Sequence, residues 1–139
     1  MTYDENREID EAVNAANDAL YHLQKADELM DKAKNWGWAD IFGGGMIITA
    51  IKHSRINDAR REIQASQRAL KKLANELHDL NGYPDVDIDI DGFVTFADYF
   101  FDNSFGDILA QVKISEAKKK IEDAIDEVSG ILDGLEDNR

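Results

Sequence analysis

Apolar residues recur every three or four positions along three long stretches of this chain. From Asp4 to Lys34 neither Pro nor Gly interrupts Ile9, Val13, Ala16, Leu20, Leu23, Ala26, Met30 and Ala33, the spacing of one helix face. A second series, Ile56, Ala59, Ile63, Leu70, Leu73, Leu77 and Leu80, keeps that rhythm with Ser66 as its small polar member, so a helix is predicted from near Met46 to just before Asn81-Gly82. The third, Ile114, Ala117, Ile121, Ala124, Val128, Ile131 and Leu135, holds strict heptad steps, with Asn103-Ser104 as an N-cap ahead of Asp107. Helices of this length reach roughly 45 Å at 1.5 Å per residue, and narrow seams want partner helices. The expected fold is all-α: one domain over residues 1–139, an elongated antiparallel three-helix bundle or coiled coil.

The two links between these helices concentrate the aromatic residues. Ten of the twelve lie there, Trp36, Trp38 and Phe42 in the first link and Tyr83, Phe93, Phe96, Tyr99, Phe100, Phe101 and Phe105 in the second. At the ends of an up-down bundle such rings plug seams that would otherwise open to water. An aromatic cluster left uncovered would mark a partner surface, and Trp36, Trp38, Phe42, Tyr99, Phe100 and Phe101 are its candidate residues.

In the first link, Gly43-Gly44-Gly45 is followed by Met46-Ile47 and lacks the Lys and Ser or Thr of a phosphate-binding loop, so it reads as a close-packed chain reversal. The segment Trp36-Gly37-Trp38-Ala39-Asp40-Ile41-Phe42-Gly43-Gly44-Gly45-Met46, with Lys52-His53, resembles an uncharacterised family of small bacterial all-helical proteins, as does Phe96-Ala97-Asp98-Tyr99-Phe100-Phe101-Asp102-Asn103. The resemblance implies a helical fold and carries no activity with it.

The second link carries seven acids and no base between Asn81 and Asp107. Two readings stand for Asp87-Ile88-Asp89-Ile90-Asp91-Gly92-Phe93-Val94-Thr95-Phe96-Ala97-Asp98. As a two-residue hairpin turning at Asp91-Gly92, it pairs Ile90 with Phe93, Ile88 with Thr95 and Val86 with Ala97 on one face, and a short helix follows from Phe96 to Asn103. The alternative is a calcium loop resembling those of EF-hand and dockerin modules, with Asp87, Asp89, Asp91, the Phe93 carbonyl and Asp98 as ligands. Against calcium stand Gly82 and Pro84, which interrupt an entering helix, and the β-branched Ile90 where positive φ is wanted.

Charge narrows the partners. With 29 acidic and 16 basic side chains the chain carries −13, which repels nucleic acid and anionic membranes. The middle helix is the exception, with seven bases against four acids over residues 46–80, while residues 1–35 carry nine acids and four bases and residues 108–139 eight and five. A basic helix between two acidic ones is matched to its neighbours. The run Lys118-Lys119-Lys120 reads as a solvated helix face.

Catalytic chemistry is sparse. There is no Cys, the three His residues show no metal-binding spacing, no Glu precedes any of them by three positions, and no Ser sits in a nucleophile elbow. The longest uncharged apolar run, Ile41 to Ile51, is eleven residues against the ~20 that span a bilayer. Met1 to Asn6 is acidic where a signal peptide is basic and then apolar. The sequence therefore points to a non-enzymatic cytoplasmic protein that self-associates or binds a helical partner; the alternative function is calcium binding.

Overall fold

A computed structural model describes residues 3–43, 46–83, 86–100 and 114–139, with side chains described for 3–32, 57–58, 60–83, 86–98, 100 and 115–139. The elements are α1 (Tyr3–Gly43), α2 (Met46–Asp79), a 3-10 turn (Leu80–Gly82), α3 (Ile90–Phe100) and α4 (Ile114–Asp137). The all-helical expectation holds, and the helix boundaries bring one change at once. The first helix does not stop at Lys34 but continues through the Trp36–Phe42 segment to Gly43, about 60 Å at 1.5 Å per residue.

The predicted β-hairpin is not found: the described residues contain no strand, and Asp91-Gly92 lies in the first turn of α3. The same residues satisfy a helical period, because Ile90, Phe93, Ala97 and Phe100 share one buried face. Asp89 is the N-cap, its Oδ1 accepting the Gly92 N–H at 3.0 Å, and the Phe93 N–H opens the helical ladder by donating to the Asp89 carbonyl at 3.2 Å. Ile88 and Phe93 flank the cap at the positions of a hydrophobic staple. A Cβ at Gly92 would collide with the Asp89 carboxylate, so glycine leaves room for the cap. A helix satisfies its own backbone, whereas a lone two-stranded hairpin is marginal in water. Asp89→Ala is expected to cost about 1 kcal/mol in urea denaturation, the loss of one N-cap; a hairpin would leave stability unchanged.

Long-range pairs fix the helix directions. Glu62 of α2 meets His22 of α1 at 2.8 Å and Glu76 lies within 4.8 Å of Glu8, while Lys118 of α4 meets Asp27 at 2.8 Å and Arg139 meets Asp10 at 2.7 Å. Both α2 and α4 therefore run antiparallel to α1. The Gln67 amide of α2 donates to the Phe100 carbonyl of α3 at 3.4 Å, and Ile88 packs beside Gly134 near the end of α4. Helix α3 thus runs opposite to α2 and α4 and lies between them. The arrangement is up-down-up-down with a short third helix, in place of the expected three helices and hairpin.

The core follows the predicted seams and widens on α1. Ile9, Val13, Ala16, Leu23, Ala26 and Met30 are buried as expected, and so are Ala12, Ala15 and Ala19. Two helices press on α1 from different sides, so its buried arc is broader than one seam, and alanines let both approach closely. On α2 the buried set is Ile63, Ser66, Ala69, Leu70, Leu73 and Leu77, with the Ser66 hydroxyl satisfied by donating to the Glu62 carbonyl at 2.7 Å. Ala117, Ile121, Ala124, Val128, Ile131 and Leu135 complete the core from α4. Ala33, Ile56, Ala59 and Ile114, also assigned to the seams, lie outside the described side chains.

Candidate functional site

Most of the expected partner residues lie outside the described side chains, and the expected ligand residues are divided between the approach to α3 and α3 itself. Phe100 is 1% exposed, so it belongs to the core and offers nothing to a partner. It continues a tilted aromatic row along α3, with Phe93 and Phe96 centroids 6.5 Å apart and Phe96 and Phe100 6.2 Å apart. The side chains of Trp36, Trp38, Phe42 and Tyr99, and Phe101 altogether, lie outside the described residues, as do Lys52-His53 and Asn103-Ser104. Of the calcium-loop positions, Asp87 and Asp89 sit in the segment before α3, while Asp91, Phe93 and Asp98 are within it. The helix begins at the fourth loop position, so the Asp91 carbonyl accepts the Thr95 hydroxyl at 2.9 Å and Asp89 is committed to its cap.

Among the described residues the convergent carboxylates lie elsewhere. Glu8 near the start of α1 and Glu76 and Asp79 at the end of α2 offer oxygens all within 4.8 Å of one another, a spacing that could hold a cation. Desolvation, followed by repulsion from Glu11 and Asp79, raises the Glu8 pKa, which nearby Arg7 partly offsets; desolvation, then Glu11, Asp79 and Glu8, raises that of Glu76. One oxygen of each has no hydrogen-bond partner. A carboxyl whose pKa is higher folded than unfolded makes the native state bind protons more tightly, so stability rises as pH falls from neutral toward the ordinary carboxyl range. The melting temperature is expected to be higher at mildly acidic than at neutral pH. Glu76→Gln should raise it at neutral pH by about 1–3 °C and flatten that dependence; a Glu76→Gln variant melting below the parent would contradict this account.

Among the described residues the charge match expected between basic α2 and its acidic neighbours does not take the form of ion pairs from the α2 bases to other helices. Where α1 and α2 meet at Glu8 and Glu76 the charges are alike, and a side-chain contact from α2 to α1 joins Glu62 to His22 at 2.8 Å, with the other His22 nitrogen 3.7 Å from Asp18. Among the described residues Arg61 reaches only Asp58 of its own helix, at 3.7 Å. Arg60, Arg68, Lys71 and Lys72 meet no carboxylate or aromatic ring among the described residues, and all four lie on α2. By contrast Lys118, expected to be solvated, is 20% exposed and bridges α4 to Asp27 and Asp31 of α1 at 2.8 and 3.0 Å, with Glu122 at 3.0 Å.

Two of the unmet cations, Arg68 and Lys71, line a groove of about 770 Å³ between α2 and α3. Its α2 wall continues through Gln64, Gln67, Asn75 and His78; the half-buried Ala74 and Val94 give it apolar surface above the buried Ala97, and Asp98 stands on the α3 side. Sequence reasoning missed this groove because it was built on a hairpin in the place of α3. The surplus of bases in residues 46–80 was the available signal. No helix of the described residues is long and apolar enough to cross a membrane. No family model, curated protein or solved structure matches this chain.

Proposed function

We propose that this chain is a non-enzymatic, cytoplasmic helical-bundle module that works through protein–protein contact, either with a helical partner or with further copies of itself. The observation that carries this reading is the outer face of α2, where Arg68 and Lys71, exposed cations of a strongly acidic chain, meet no carboxylate within ion-pair distance among the described residues and line an open groove. Elsewhere in the described bundle, charged side chains such as Lys118 and Arg139 are spent on joining helices. Cations with no ion pair among the described residues are available to an outside surface, where complementary charge speeds encounter and selects partners.

A photo-crosslinking side chain in place of Lys71 tests the reading, with the same group in place of Glu28 on α1 as the comparison. The expected result is a discrete protein adduct in cell extract, or a dimer with purified protein, from position 71 and not from position 28. Equal labelling at both positions, or none at either with a monomer in light scattering, would contradict it.

A further inference from the structure

The groove between α2 and α3 has a shape and charge that specify its occupant more closely. Its α2 wall runs from Gln64 to His78, about 21 Å at 1.5 Å per residue, and α3 forms the opposite wall. A trough of that length suits a rod-like segment better than a compact small molecule. Ala74 and Val94 are small or medium apolar side chains, which admit the ridge of another helix, and Ala97 is buried at the groove's floor. The α2 flank presents Arg68 and Lys71 to that helix, and the α3 flank presents Asp98.

We infer that the α2–α3 groove docks an amphipathic helix of a partner protein, with carboxylates on its α2-facing flank and a Lys or Arg on its α3-facing flank. This rests on the interaction reading above and names the partner's chemistry. The groove would act as a helix-in-groove site in which apolar contact supplies affinity and the two charged flanks fix orientation. Nucleic acid is disfavoured at the same cations. Asp98 stands on the facing wall, Asp91 is exposed on the same helix, and the whole chain carries −13, so phosphates along a strand would meet repulsion beside every attraction. A carboxylate-bearing helix with one basic flank instead matches Asp98 as well as Arg68 and Lys71.

The test uses the full chain and three fluorescent probes. The first is a helical peptide of about 18 residues with Glu on one flank, Ala and Leu along the middle and Lys on the other flank, long enough to fill the trough. The second is its scrambled isomer, with no amphipathic face, and the third is a single-stranded oligonucleotide. Anisotropy titration should show the amphipathic peptide binding at least about tenfold more tightly than the scrambled one, since only the former aligns charge and apolar contact. Arg68→Glu with Lys71→Glu should remove that advantage. Lys119→Glu, an exposed change on α4, should leave it intact, and circular dichroism should confirm that both proteins remain folded. Equal binding of both peptides, tighter binding of the oligonucleotide, or an unaffected Arg68→Glu/Lys71→Glu protein would overturn the inference. Adducts at position 71 together with any of these results would retain the interaction reading and reject the acidic helix as occupant.

Discussion

Ile121→Asp is expected to abolish the cooperative helical fold, with a loss of more than about 4 kcal/mol. Ile121 is fully buried at the middle of the α4 seam, and the Ala117 and Ala124 positions beside it are equally closed to water. The new carboxylate would stand among these buried apolar positions, so the folded chain must either bury a charge or open the α1–α4 packing. Native domains hold only about 5–15 kcal/mol in total, so either outcome removes much of that margin. Leu73→Asp on α2 should behave alike, since Leu73 is also fully buried. Urea titration followed by far-UV circular dichroism measures both. Two variants as stable as the parent would mean that these seams are not the core.

The second large effect concerns Lys118. Its ammonium sits among Asp27, Asp31 and Glu122, all within 3.0 Å, and ties α4 to α1. Burial by itself would lower its pKa, but the hydrogen bonds to these three carboxylates outweigh burial and raise it above the ordinary lysine value. Lys118→Met keeps much of the side-chain volume and leaves three carboxylates facing one another. Asp31 and Glu122 are about half exposed and screened by water, so the expected loss is about 2–3 kcal/mol and not the larger figure for a fully buried charge. Adding Asp27→Asn to Lys118→Met should recover part of it, because Asp27 is the most buried of the three. A raised folded pKa makes the Lys118 contribution complete below the ordinary value near about 10.4 and lost only as pH climbs through the folded value. The penalty of Lys118→Met should therefore be undiminished at neutral pH and shrink only in strong alkali.

Lys118 also shows where sequence reading meets its limit. Three successive lysines point about 100° apart around a helix, so they cannot share one environment. Lys119 remains 78% exposed with a single loose pair to Asp123, while Lys118 turns toward α1. Which of three identical neighbours faces a second helix depends on the rotation of α4 about its axis. The heptad positions Ala117 and Ile121 bracket that rotation, so the information was present and needed only to be read as a face.

The seams themselves were legible because burial on one side of a helix leaves a period of three and four that no other structure shares. The buried alanines Ala12, Ala15 and Ala19 were not, since alanine is at home on either surface and only the presence of two flanking helices makes it core. The residues from Val86 to Ala97 fit two periods at once, and the turn-forming Asp91-Gly92 pair tipped the local reading toward a hairpin. Tertiary context reversed it: Ile90, Phe93, Ala97 and Phe100 cover the space between α2 and α4 as a helix, and Asp89 starts that helix. Everything that distinguishes the α2–α3 groove follows from this one element, which is why the groove was invisible in the sequence while its cations were not.

The position and form of α3 are therefore the point on which the account turns, and nuclear magnetic resonance of the labelled full chain tests them most directly. Backbone carbon shifts should be helical from Ile90 through Phe100, with cross-peaks linking the Gln67 side-chain amide to Phe100. Extended shifts on both sides of Asp91-Gly92, with cross-strand peaks joining Ile88 to Thr95, would contradict the helix and remove the groove.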